Sequence, residues 1–191
     1  LNTLGPTAVA SYAAAQKIES IAMMPMMSFG IAIAAYAAQN YGAQKFRRIG
    51  EGVRKCSYMS LSFSIIVGVA LIFFSPALLG LFVGDAEGAA DVISYGHEYL
   101  IVNGSMYWVL SMLFIFRSTL QGLGQSVVPT VAGVMELVMR TAAAFFLVGW
   151  VGYLGACLAN PMAWIGSCVP LTIAFFWTWR GFKKRVDLET V

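Results

Sequence analysis

Two charges sit where an apolar run ordinarily carries none. Glu136 and Arg140 lie four residues apart in Met135-Glu136-Leu137-Val138-Met139-Arg140. That spacing puts both on one helical face with the acid N-terminal, the favourable order for an ion pair. Glu136 stands nine residues beyond Val127, roughly 13 Å along a helix, and so deep in its apolar segment. A charge at such depth costs about 2.5–3.5 kcal/mol on insertion scales, less when it is paired or reaches water. One reading makes Glu136 the carboxylate for a coupling ion or a cationic substrate, held by Arg140. The other makes the two a structural pair locking one helix to a neighbour. The functional reading is preferred, because ionisable groups inside apolar membrane segments are functional hypotheses by default.

Two more polar groupings interrupt apolar sequence. Gln16, Lys17 and Glu19 fall near the start of the first apolar run. Lys17 has a stem long enough to snorkel outward. The three read as an interfacial polar pair and neighbour, or alternatively as an outer gate lining a cleft. Asn103 and Tyr107 are four apart, with Ser105 between them and Trp108 adjacent. A shared polar face beside aromatics suits an organic cation through cation–π contact, and equally suits an interhelical hydrogen bond. The methionine cluster Met23, Met24, Met26 and Met27 reads as helix packing.

Soluble-enzyme chemistry has no support in the pattern, and no catalytic residue is assigned. Gly122-x-Gly124 lacks the third glycine and the strand context of a dinucleotide loop, and no Walker lysine occurs. His97 has no His or Cys neighbour in sequence to share a metal and is placed in an outer loop region. Cys56, Cys157 and Cys168 form no CxxC pair and read as small unpaired residues. No metal, cofactor or nucleic-acid partner is expected, and uphill transport would draw on an ion gradient.

The elements that must position these groups follow from composition. Of 191 residues, 59% are hydrophobic and 11% charged, and the mean hydropathy is +0.76. Ordinary soluble domains carry roughly 25% charged residues, so the surrounding lipid bilayer is the expected partner. Uncharged intervals run Ser20–Gln44, Cys56–Gly84, Tyr99–Phe116 and Thr141–Trp179. A spanning helix takes roughly 20 residues, so the last interval, 39 long, must turn, and the Gly- and aromatic-rich stretch 149–155 is where it does. Five helical spans are predicted, at about Val9–Ala38, Tyr58–Val83, Ile93–Leu120, Val127–Val148 and Ala156–Trp179. The fold class is therefore all-α, a polytopic transmembrane bundle over 1–179.

Charge between the spans sets a topology. Residues 40–56 form a basic loop with Lys45, Arg47, Arg48, Arg54 and Lys55, and 43–55 has the Phe46, Ile49, Val53 spacing of a short amphipathic helix. Residues 180–191 form a tail with Arg180, Lys183, Lys184 and Arg185. With Arg117 counted at the end of span three, ten of twelve basic residues share one side. The opposite connection holds Asp85, Glu87, Asp91 and Glu98 and no basic residue. The positive-inside rule makes the basic side cytoplasmic, with the N-terminus outside and the C-terminus inside a plasma (inner) membrane. The chain begins with Leu1, and is expected to be a piece of something longer.

The residues then resemble a known family. Gln39-Asn40-Tyr41-Gly42-Ala43-Gln44-Lys45-Phe46-Arg47-Arg48 is similar to the Gln-x-x-Gly-Ala and basic residues that close a helix in MATE (multidrug and toxic compound extrusion) transporters. The run 10–20 resembles the start of that helix. Tyr99-Leu100-Ile101 and 120–129, with Gly122-x-Gly124 and Pro129, resemble the start and end of the next unit. The resemblance implies twelve helices in two lobes and sodium- or proton-coupled antiport of organic cations and drugs. This chain then corresponds to helices eight to twelve, with helix seven and the N-terminal lobe as its partner outside it. Family acids used for ion coupling fall outside the chain or at positions where Asn103 and Tyr107 stand. Two alternatives stay open: a lipid-linked saccharide flippase of the same superfamily, and a non-transporting membrane structural subunit.

Overall fold

The computed structural model describes residues 5–84 and 88–189. Six helices follow in order: α1 Pro6–Gly42, α2 Phe46–Val83, α3 Ala89–Ser105, α4 Tyr107–Gly122, α5 Val127–Val151 and α6 Tyr153–Glu189. No strand occurs among the described residues. Among the described residues, four helices are long and apolar enough to cross a membrane, and α3 with α4 makes a fifth span bent by 51°. The five predicted spans are thus all present, and the third is broken. The outside of the bundle is apolar to a degree water does not tolerate. Phe73, Leu81, Phe145, Trp150 and Trp177 are all at least three-quarters exposed, as befits side chains facing lipid.

Helices α1 to α4 and α6 pack on one another, whereas α5 rests almost wholly on α6. Backbones approach closely where side chains vanish. A Cβ on Gly68 of α2 would fall 2.5 Å from the Gly104 carbonyl oxygen of α3, so that contact requires glycine. It lies beside the break at Met106, whose N–H donates to Asn103 O at 3.0 Å. No proline marks the break.

Three expectations are corrected here. The basic stretch 43–55 is no separate short helix: from Phe46 it runs unbroken into α2. Its apolar stripe is buried rather than anchored in headgroups, with Phe46, Ile49 and Val53 clustered with Ile33, Ala37, Leu123 and Phe182. Residues 180–189 likewise continue α6 rather than forming a tail. His97 lies in α3, its Nδ1 2.6 Å from Ser75 Oγ of α2. Asp85 and Glu87 lie outside the described residues, as do the side chains of Lys184 and Arg185.

The α1–α2 turn shows how the Gln-x-x-Gly-Ala run works. Gln44 is the one non-glycine with positive φ (56°) among the described residues, and Lys45 N–H donates to Asn40 O at 2.8 Å. That six-to-one bond with a left-handed residue before it closes a helix end. Asn40 Nδ2 donates back to Tyr36 O at 2.8 Å. The cluster that joins Phe46, Leu123 and Phe182 brings the ends of α1, α4 and α6 and the start of α2 to one end of the bundle, the basic one.

Candidate functional site

An acid has reached the interior of the bundle with a phenol as its hydrogen-bond donor. Glu19 of α1 is buried, and its Oε2 accepts a 2.5 Å hydrogen bond from Tyr99 Oη of α3. Asn160 Nδ2 of α6 donates to the same Tyr99 oxygen at 2.8 Å. Three helices thus meet on one phenol. Tyr12, about two helical turns nearer the start of α1, sets its ring edge-on to Tyr99 at 5.0 Å. Gln16 Nε2 donates to Tyr12 Oη at 3.3 Å.

Glu19 Oε1 has no hydrogen-bond partner among the described residues. A bare buried carboxylate oxygen is costly in an apolar surround, and a proton, a cation or water would complete it. Beside it opens a cavity of about 320 Å³ lined by Gln16, Glu19, Met23, Arg140, Asn160 and Trp164. An acid, a guanidinium and an indole therefore face one space.

The expected pair is present and has a third member. Arg140 Nη2 donates to Glu136 Oε1 at 2.9 Å, and Arg117 Nη2 of α4 donates to Glu136 Oε2 at 2.8 Å. Arg117 also donates to Ser167 Oγ of α6 at 3.0 Å. Arg117 therefore does not serve the basic membrane face where sequence counting put it; its guanidinium turns inward to the level of Glu136. Both carboxylate oxygens are occupied by guanidinium groups, so an added cation would meet two positive charges at close range. With Ser167, these side chains tie α4, α5 and α6 together where α5 otherwise scarcely touches α4.

The other sequence candidates divide. Gln16 and Glu19 line the cavity, whereas Lys17 is exposed, so the interfacial Lys17–Glu19 pair is replaced by Glu19 with Tyr99. Asn103 and Tyr107 flank the α3–α4 break and are both fully buried. Asn103 Nδ2 donates to Tyr99 O at 2.9 Å and to Cys157 O at 3.3 Å. Asn103 Oδ1 and Tyr107 Oη have no partner among the described residues. Trp108 is half exposed and faces away from this polar core; the indole at the cavity is Trp164, with the Tyr107 ring behind it at 6.3 Å. Sequence reasoning missed Tyr99, Asn160 and Trp164 as site residues. Only the Tyr99-Leu100-Ile101 start of the second family-like unit pointed to Tyr99, and it pointed to a family motif rather than to Glu19.

The MatE family model matches residues 1–146. A Bacillus subtilis relative named "Probable multidrug resistance protein YoeA" is 24% identical over 189 residues, covering 97% of this chain and 40% of its own length. A protein named "FAD transporter" from Shewanella oneidensis is 25% identical over 157 residues, covering 82% of this chain and 34% of its own. The Vibrio cholerae MATE transporter VcmN in its bent form superposes with a TM-score of 0.83 at 17% identity, over 95% of this chain and 41% of that one. The chain spans about 40% of the length of the first of these curated relatives.

Proposed function

This chain belongs to the MatE family, and we propose that it forms most of one lobe of a secondary transporter that expels organic cations and drugs against a sodium or proton gradient. It is a multi-pass membrane protein with a transporter's fold. The family and the polar interior of the bundle support this reading. Glu19 is the group that takes up the coupling ion or the cationic substrate. The observation that carries this role is its unpartnered Oε1 beside a cavity. Asn103, Tyr107, Glu136 and Arg140 frame the polar interior around it. The positive-inside rule puts the basic end of the bundle in the cytoplasm. Binding then occurs near the midplane, and the two lobes rock about the site to alternate access.

Glu136 is assigned to holding α5, because both its oxygens are occupied by arginines. In everted vesicles containing the full-length protein, Glu19→Gln is expected to reduce gradient-driven drug efflux to background, while Glu136→Gln retains it. Wild-type efflux from Glu19→Gln would overturn the role of Glu19; efflux independent of any ion gradient would overturn the antiporter reading.

A second reading has one observation in its favour. Arg140 lines the same cavity, and a guanidinium recognises phosphate well. An anionic substrate, such as a lipid-linked pyrophosphate or a dinucleotide, would use it. Loss of binding of such an anion in Arg140→Gln, with drug efflux absent from the wild type, would favour that class instead.

A further inference from the structure

A second concave site lies in the opposite half of the bundle from Glu19. A groove of about 400 Å³ runs between the first turns of α2 and the later turns of α6. Its floor is aromatic, formed by Phe175, Phe176, Trp179 and Phe182. The Phe46 and Phe182 rings stack at 4.9 Å, which fixes the α2–α6 contact. The Trp179 indole lies directly on the backbone of α2: a Cβ on Gly50 would fall 1.7 Å from its Cη2. Glycine at that position is what lets the indole form the groove wall.

Cations occupy the rim, namely Arg47, Arg54 and Lys183. Arg47 is engaged by Glu51 at 3.1 Å. Arg54 and Lys183 are exposed and have no ion-pair partner among the described residues. An oily, aromatic floor beneath two uncommitted cations, at the basic end of a membrane bundle, matches the chemistry of a phosphate attached to acyl chains. A zwitterionic headgroup brings its own cation and gains less from this rim. A soluble anion would use the rim and leave the aromatic floor wet. Basic pockets between membrane helices are known seats for anionic headgroups.

We propose that this groove seats an anionic phospholipid of the adjoining leaflet, its phosphate between Arg54 and Lys183 and its glycerol and upper acyl carbons on Phe176 and Trp179. The full-length protein in detergent is titrated with phosphatidylglycerol and with phosphatidylcholine, and retained lipid is followed by native mass spectrometry and by thermal unfolding. Phosphatidylglycerol is expected to be retained and to raise the unfolding temperature above the shift given by phosphatidylcholine. Arg54→Gln with Lys183→Gln should weaken its binding roughly fivefold for each charge removed. The charge-matched control, Arg48→Gln with Lys55→Gln outside the groove, should leave it unchanged. Lys183→Gln alone, at an exposed position, carries the single-charge expectation should the double variant fail to fold. Equal retention of the two lipids, or equal weakening by the two double variants, overturns the site in favour of diffuse surface charge. Binding of soluble glycerol phosphate as tight as the lipid overturns it in favour of a free anion.

Discussion

Glu19 and Glu136 are both acids inside apolar helices, and the surroundings of the two could hardly differ more. Glu19 is met by a phenol, through which an amide acts, and one of its oxygens is left bare beside a cavity. Glu136 is met by two guanidinium groups that occupy both oxygens. Neutral donors leave a carboxylate able to exchange a proton or cation. Two arginines leave it neutralised and immobile, with one positive charge in excess. The lesson is that a charge inside a membrane segment does not by itself mark the working group; the partner does. Glu136 was the more conspicuous of the two in sequence, yet Glu19 has the free valence.

The contrast can be broken from the Glu136 side first. Arg117→Met is expected to destabilise the bundle by about 3 kcal/mol, read from chemical unfolding in detergent. The loss is of the charge-assisted bonds from Arg117 to Glu136 and Ser167, worth about 1.5–3 kcal/mol for a bond to a charged group, while Arg140 keeps Glu136 paired. No change in stability would demote the cluster from a tie to an incidental contact.

Glu136→Gln keeps the shape and removes the countercharge. It should cost about 2 kcal/mol and leave efflux per folded molecule unaltered; loss of efflux at full stability would return Glu136 to the transport mechanism. On the Glu19 side, Tyr99→Phe removes the donor to Glu19 and the acceptor for Asn160. About 1.5 kcal/mol is expected, with efflux impaired beyond the loss of folded protein. Unimpaired efflux would separate Tyr99 from the ion site.

The smallest effect is far from either acid. Gln44→Gly relieves a left-handed residue and should stabilise by no more than about 1 kcal/mol, with efflux untouched. A larger change would mean that the Gln44 side chain does more than fill the turn.

What sequence made legible divides along similar lines. Spans were legible because lipid leaves long uncharged intervals, and the Glu136–Arg140 contact because pairs four apart on a helix must meet. Arg117 joins that pair across a turn, 19 residues from Glu136, and local spacing carries no sign of it. Tyr99 and Glu19 are 80 residues apart, so nearness in sequence favoured Lys17 as the acid's partner. The bend at Met106 was hidden because apolar residues continue through it and no proline marks it. The fusion of 46–55 with α2 was hidden for the opposite reason: basic residues suggested an end where the helix simply continues.

The isolation of α5 has a mechanical consequence. α6 is held by α2, α3 and α4 as well as by α5, whereas α5 leans on α6 and meets α4 chiefly through the Arg117–Glu136 contact. Interlocked apolar side chains resist sliding, whereas an ionic clasp can let go and re-form once water reaches it. Water entering between α4 and α5 thus loosens α5 on its α4 side alone and leaves the close-packed glycine contact between α2 and α3 undisturbed.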